Sequence, residues 1–426
     1  MTASPRGSNP HEISASGRIG SSSRDRYNQS VPGAGTNDGW AAPPLADLIV
    51  RSPAGGALRT HPTETETETE TFGAPARVVA DLRSVRGAAG RFLVPGESRT
   101  GAARSLLSYN RLRPWRVRTV RAALGWTLRL GAGGLLSEPR QMVAPPDAPV
   151  LLDHLASVLG VPRVVFAATE KGGSGFVTPV LQLFTPDGRN VGFAKIGWDA
   201  VTDAMIRTEA DALGRAARAG WDSVSVPEVV WHGEWEDLSL LVTAPMPRRV
   251  RRLRPSELPP IPPLLDVALL DGPTQRRRVD TSAYWNDACA TAARAADAGR
   301  SALADHLDAV ARAYEAVELT FGRWHGDWVE WNLARADGRL FAWDWAYSAP
   351  DVPFGFDLLQ FFHLRHRVLR EAPPAVALRR AADDARPGLR QLGIPDDEVG
   401  AVVALHQAEV LLREERALQA RAKVSQ

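Results

Sequence analysis

The stretch that most constrains this chain runs His325-Gly326-Asp327-Trp328-Val329-Glu330-Trp331-Asn332, continues to Trp343-Asp344-Trp345 and ends at Phe356-Asp357-Leu358. It holds an Asp, an Asn five residues on, and a second Asp twelve beyond that. Phosphoryl transfer from a nucleotide needs such a set. One carboxylate orients or deprotonates an attacking hydroxyl, while an amide and another carboxylate supply hard oxygen ligands for magnesium. The competing reading is a Trp-rich core segment whose acids are solvated loop charges. On the first reading His325 props the loop by hydrogen bonding, the tryptophans pack around it, and Asp357 caps the helix that follows.

Two upstream features favour that reading. The 51 basic residues include only three lysines, Lys171, Lys195 and Lys423. Arg and Lys are not interchangeable, Lys being a compact point charge. Lys195 follows Gly192-Phe193-Ala194 in a strand pattern, and Glu209 lies fourteen residues later in a helical stretch, with Asp211 as the rival partner. A strand lysine facing a cleft can pair with nucleotide phosphates while an acid on the neighbouring helix fixes it. Lys171 opens the glycine turn Gly172-Gly173-Ser174-Gly175. Its backbone N–H groups could cradle phosphates, but the same residues make an ordinary hairpin loop, and neither G-x-G-x-x-G nor Walker A is matched.

In chain order, residues 1–75 are rich in Ser, Gly, Pro, Asn and Thr and contain the alternating tract Thr63 to Thr71. They read as a disordered tail, because such a segment cannot bury enough apolar surface to offset its ordering entropy. Residues 76–147 read as a basic N-terminal extension, partly helical. Between Arg99 and Arg129 it carries eight arginines and no acid. Pro114 opens a helix on which Val117, Val120, Leu124 and Leu128 share a face. That stretch, 99–130, either contacts an anionic membrane or a phosphorylated substrate, or packs on the core with its arginines in water. Residues 148–245 hold a short helix, five strand patterns and an inserted helix. Ala244-Pro245-Met246-Pro247 then breaks the last strand as a hinge. Residues 246–426 read as mainly helical, with windows near 283–298, 300–320, 356–371, 374–384 and 396–420, and begin with Arg248, Arg249, Arg251, Arg252 and Arg254.

The spacing H-x-D-x-x-x-x-N is that of a kinase catalytic loop, with Gly326 in place of Arg and Trp-Asp-Trp in place of Asp-Phe-Gly. In this it resembles the aminoglycoside phosphotransferase and choline kinase family, the small-molecule branch of the kinase-like fold. The resemblance spans roughly 150–420 and is most specific at 325–357. It implies an α+β, two-lobed protein-kinase-like fold. Its N-lobe would be a five-stranded antiparallel sheet with one helix, its C-lobe mainly helical, and the disordered tail would precede both. It implies ATP and Mg2+ as cofactors, with Asp327 and Asn332 catalytic. Lys195, Glu209, Gly172, Gly173, Ser174, Gly175 and Thr243 would bind the nucleotide, and Asn332 and Asp344 the metal. The family often places an acid directly after Asp-Trp; here Ala346 stands there, so that contact is missing.

The expected function is therefore ATP- and Mg-dependent transfer of the γ-phosphoryl group to a hydroxyl of a small molecule, such as an aminoglycoside, a sugar or a related metabolite. The alternative is a nucleotide-binding pseudoenzyme or scaffold docked to a membrane or partner by its basic extension. A protein kinase fits less well, since His-Arg-Asp, Asp-Phe-Gly and Ala-Pro-Glu are absent. A net charge of +2 gives no global pull towards polyanions, so no nucleic-acid partner is expected. A single cysteine, Cys289, and an N-terminus without an apolar signal core suit a cytoplasmic protein.

Overall fold

The computed structural model of the chain describes residues 43–52, 57–59, 76–87, 90–131, 137–170, 178–254 and 257–424. Most of the stretch expected as a disordered tail, including the Thr63–Thr71 tract, lies outside these residues. Part of it is ordered. Leu45–Ile49 forms a short helix, Leu48, Ile49 and Val50 are buried, and Val50 bridges to Val150. A local cluster of apolar residues escapes a composition averaged over a polar tail.

The N-terminal half is built on one sheet. Its strands are β1 (Ala57–Arg59), β2 (Arg77–Gly87), β3 (Gly90–Pro95), β4 (Ser137–Ala144), β5 (Val165–Glu170), β6 (Val180–Phe184) and β7 (Asn190–Gly197). The helix Ala200–Arg218 and a short β8 (Val224–Ser225), which joins another sheet, precede β9 (Val229–Trp235) and β10 (Leu238–Thr243). The nine strands run in the order β1-β4-β2-β3-β5-β6-β7-β10-β9, every pair antiparallel. The five expected strands are all present, but β2, β3 and β4 from the extension and β1 from the expected tail complete the sheet. The expected boundary at 147/148 therefore falls inside one structural unit. Alternate residues explain this: Ala80 and Leu82 on β2, Leu93 on β3 and Met142 on β4 join Phe166, Leu181, Leu183, Ala194 and Ile196 in one core.

The helices Arg99–Leu107 and Trp115–Arg129 cover the other face of β2 and β3, where Val85 and Val94 meet Ala102, Leu106 and Leu128. Ser98 caps the first by accepting from the Gly101 N–H at 3.1 Å. The inward face of the second is rotated from the expected one. Leu124 and Leu128 point in, as does Arg121, which donates to the Leu106 carbonyl at 3.1 Å, whereas Val120 is 46% exposed. Among the described residues no helix is long and apolar enough to cross a membrane.

After β10 the chain is mainly helical, as expected, around two small sheets. β11 (Arg251–Arg252), β14 (Leu333–Ala336), β15 (Arg339–Ala342) and β8 form one; β12 (Gln275–Arg278), β13 (Glu318–Trp324) and β16 (Ala349–Pro353) form the other. Two boundaries differ from expectation. The Pro-rich linker contains the helix Ile261–Ala268, its prolines occupying the first turn where no donor is lost. The helical window 300–320 gives way to β13, on which Leu319, Phe321 and Arg323 are buried at alternate positions.

If the extension is integral, Leu93→Ala should destabilise the whole N-terminal half. A fully buried Leu→Ala costs about 2–5 kcal/mol. Denaturant titration should show one transition moved to lower denaturant; an early, separate step would mean that the extension unfolds alone.

Candidate active site

Strand β13 delivers His325-Gly326-Asp327 to a turn beside Asn332. Gly326 has φ +83°, and a β-carbon there would collide with the Tyr347 carbonyl oxygen, so glycine is required. Asp357 clamps this turn: its carboxylate accepts the N–H of His325 at 2.7 Å and of Gly326 at 3.0 Å. The helix Phe356–Leu364 instead has Gly355 at its cap, so the expected capping role of Asp357 is replaced by bonds to the loop. Burial pushes the Asp357 carboxyl up to about 6, against the two amides and Arg413. Arg413 donates to the Gly326 carbonyl at 2.6 Å and stacks over Trp324 and Tyr347. His325 is a prop, as expected. Its Nδ1 accepts the Asp327 N–H at 3.1 Å, its ring lies 4.5 Å from that of Trp345, and burial lowers its pKa to about 3, which keeps it neutral.

Asn332 donates through Nδ2 to Asp327 Oδ2 at 2.6 Å and to the Asp327 carbonyl at 3.2 Å. The Trp343 N–H donates to the Asn332 carbonyl at 3.2 Å, which seats the next loop beside it. Asp344 follows, with φ +72° in the left-handed region where few non-glycine residues sit. Its Oδ1 accepts from Lys195 Nζ at 2.7 Å, and the same ammonium pairs with Glu209. Burial alone would push the Lys195 ammonium down; the Asp344 and Glu209 carboxylates outweigh it and hold it above the ordinary lysine range.

Periodicity explains why these three meet. On β7, Ala194 and Ile196 enter the sheet core, so Lys195 and Phe193 leave the opposite face. On the helix Ala200–Arg218, Ile206, Glu209, Ala210 and Leu213 share the buried stripe, while Asp211 is outside it and pairs with Arg215 at 2.8 Å. Glu209 rather than Asp211 is thus the partner. Thr243 lies opposite Phe193 in the β7–β10 register, and a β-carbon on Gly192 would come within 2.6 Å of the Thr243 carbonyl oxygen. Lys171, Gly172, Gly173, Ser174 and Gly175 lie outside the described residues.

Four contributors carry no signal in the sequence: Glu330, Glu257, Arg413 and Tyr109. Glu330, to which no role was assigned, is buried and pairs with Arg365 and, at 3.5 Å, with Arg252. Glu257 pairs with Arg335 at 2.7 Å and Arg251 at 3.8 Å. Two arginines of the cluster after the hinge are therefore used in internal pairs. Arg413 is the third, and Tyr109 from the extension is the fourth: its hydroxyl donates to the Met246 carbonyl at 3.1 Å.

The donor set suits a hard divalent cation. Asn332 Oδ1 is buried without a hydrogen-bond partner among the described residues, and an ordered water or a bound cation would satisfy it. Asp344 stands in the loop seated beside it. Among the described residues no group of three or more His, Cys, Asp or Glu converges. A magnesium ion held by Asn332 and Asp344 would take its other ligands from phosphate and water.

The buried histidines set a pH dependence. Burial lowers His325 to about 3, His363 to about 4 and His406 well below its ordinary 6.5. Below pH 6.5 the unfolded chain takes up protons that these folded imidazoles refuse, so their contribution to stability is lost as pH falls. Asp357 opposes them: with a folded value of about 6 against 3.8, it favours the folded state as pH drops through that window. The carboxyls of Glu97, Asp203, Glu209 and Glu414, which burial also raises, act with Asp357, so the part played by the imidazoles is read by substitution. His406→Gln should make the thermal midpoint lose less, or gain more, between about pH 7 and pH 5 than in the unsubstituted protein. An unchanged pH dependence in His406→Gln would contradict this assignment.

No family model and no curated protein matches this chain. Among solved structures it is similar to a thermostable mutant of aminoglycoside phosphotransferase APH(4)-Ia in its apo form, with 16% identity, 65% of this chain and 99% of that chain covered, and a TM-score of 0.38. It is similar to APH(2")-IIa in a streptomycin–ATP ternary complex, with 12% identity, 61% and 96% coverage and a TM-score of 0.34. It is also similar to a glucosamine kinase in complex with glucosamine, ADP and inorganic phosphate, with 18% identity, 64% and 83% coverage and a TM-score of 0.32.

Proposed function

We propose that this chain is a magnesium- and ATP-dependent phosphotransferase that moves the γ-phosphoryl group to a hydroxyl of a small molecule of the aminoglycoside or sugar kind. The observation that carries this reading is Lys195, held by Glu209 and touching Asp344, above a loop in which Asn332 fixes Asp327. Lys195 leaves Asp344 for the α- and β-phosphates when a nucleotide enters, with Glu209 keeping the ammonium aimed. Asp327, oriented by Asn332 Nδ2 and by the clamped backbone at 325–326, receives the acceptor hydroxyl and takes its proton late in the transfer. Magnesium, held by Asn332 and Asp344, would offset the charge on the phosphate oxygens. Arg251 and Arg252 give little support to an anionic acceptor, because they already face Glu257 and Glu330.

Incubation with Mg-ATP and a panel of hydroxylated acceptors, read by mass spectrometry, should yield a product gaining one phosphoryl group. Asp327→Asn should lower kcat by about 10²–10⁴-fold with little change in KM for ATP, the usual scale for loss of a positioned base. Lys195→Ala should raise KM for ATP. Unchanged turnover in Asp327→Asn would overturn the assignment.

We also propose that the helix Trp115–Arg129 rests on an anionic membrane surface. Trp115, Trp126 and Leu130 are 66%, 54% and 77% exposed, and Arg116, Arg118 and Arg129 flank them. The guanidinium groups of Arg116 and Arg129 each lie 5.4 Å from the neighbouring indole. Exposed indoles bordered by arginines and no acids match an anionic interface. The protein should sediment with phosphatidylserine-containing vesicles and not with phosphatidylcholine alone, and Trp115→Ser with Trp126→Ser should abolish this. Equal binding to both vesicles, or none, would refute it.

A further inference from the structure

Tyr109 lies in the turn between the helices Arg99–Leu107 and Trp115–Arg129, with φ 51° and ψ 25°. This left-handed conformation is a genuine outlier for a bulky residue, and it persists only where the surroundings hold it. Here the side chain is what is held. Its ring faces that of Phe193 at 5.7 Å between centroids, and its hydroxyl donates to the Met246 carbonyl at 3.1 Å while accepting from Asn190 Nδ2 at 3.4 Å. Together with Leu112, Met246 and Trp343 it packs on a cluster formed by Val250, Ala334, Ala336 and Phe341. Burial raises the phenol to about 12, so the donor stays protonated at any ordinary pH.

These neighbours define the remainder of the cleft. Phe193 and Lys195 are two residues apart on one strand and leave the same face, about 7 Å from one another. Trp343 adjoins Asp344, and Met246 lies in the segment that follows Thr243. A nucleotide whose phosphates meet Lys195 and the Asn332–Asp344 pair would lay its base towards Phe193, Trp343 and the Met246 backbone. A flat ring offering one donor to the Met246 carbonyl is what an adenine with its exocyclic amine would present there. Tyr109 already presents it, from the turn between the two helices that cover β2 and β3.

We propose that Tyr109 occupies the nucleobase seat of the cleft, and that its ring must swing out of the turn between the two helices before a nucleotide can bind. The contact is autoinhibitory and rests on the reading of this cleft as a nucleotide site. A ring seated roughly nine-tenths of the time would raise the apparent Kd for nucleotide about tenfold.

The test is a titration of full-length protein with a fluorescent ADP analogue and Mg2+. Tyr109→Ala should lower Kd about tenfold. Tyr109→Phe, which keeps the ring and loses the bond to Met246, should give a smaller gain. Adding Lys195→Ala to the Tyr109→Ala protein should abolish the gained binding, and circular dichroism should show all variants folded. Nitration of Tyr109 by tetranitromethane, followed by peptide mass spectrometry, should rise in wild-type protein on adding Mg-ATP. If Tyr109→Ala binds no tighter than wild type while Lys195→Ala still abolishes binding, the gate is overturned and the nucleotide reading survives: Tyr109 is then a wall of the seat. If no variant binds nucleotide, both fall.

Discussion

The structure depends on one ammonium group. Lys195 is taken largely out of water at the junction of a strand, a helix and a loop, and it must find opposite charge there. Glu209 and Asp344 provide it. Removing one partner of a buried pair leaves an uncompensated charge, typically worth about 3–5 kcal/mol. The contact therefore ties β7 to the helix Ala200–Arg218 and both to the loop at Asp344, across 149 residues of sequence. Such a tie is weak as a source of net stability, since apolar residues of like volume often do as well. Its value is placement. It keeps a cation and a carboxylate in contact; on the function proposed above, polyvalent phosphate and its counter-ion would replace that direct bond.

Around that junction the backbone is fixed by groups with no direct part in the proposed chemistry. Asp357 holds two N–H groups of the 325–326 turn, Arg413 holds the Gly326 carbonyl, and neutral His325 holds the N–H of Asp327. The turn needs glycine because the Tyr347 carbonyl lies against it. Asn332 then bonds Asp327 from within the same loop. Preorganisation of this sort lets a carboxylate meet a hydroxyl without first reorganising. His325 and Asp357, which clamp the turn, and Glu209, whose carboxyl burial raises beside Lys195, are groups through which pH reaches the site.

Much of the site was legible because its members are close in sequence or chemically rare. Asp327, Asn332 and Asp344 lie within one short stretch, and Lys195 stands out in a chain that otherwise uses arginine. Glu209 was the expected partner with Asp211 as its rival, and the buried stripe of the helix decides between them. What could not be read is nonlocal. Strands β2, β3 and β4 carry ordinary alternation, but nothing in it says that they join the sheet of β5 to β10. Glu330 meets Arg365 across 35 residues, and Asp357 meets the 325–326 turn across 32 and 31. Tyr109 and Met246 are 137 residues apart. One miss was avoidable: Asp337-Gly338, both at positive φ, closes the β14–β15 hairpin and is a strong turn signal.

The central claim is that Lys195, Asn332 and Asp344 form one magnesium–nucleotide site. Calorimetric titration with a non-hydrolysable ATP analogue, run with Mg2+ and again with EDTA, addresses it without depending on any acceptor. The account predicts binding that requires Mg2+ and is lost in Asp344→Asn. Binding of equal strength in EDTA, or in Asp344→Asn, would contradict it.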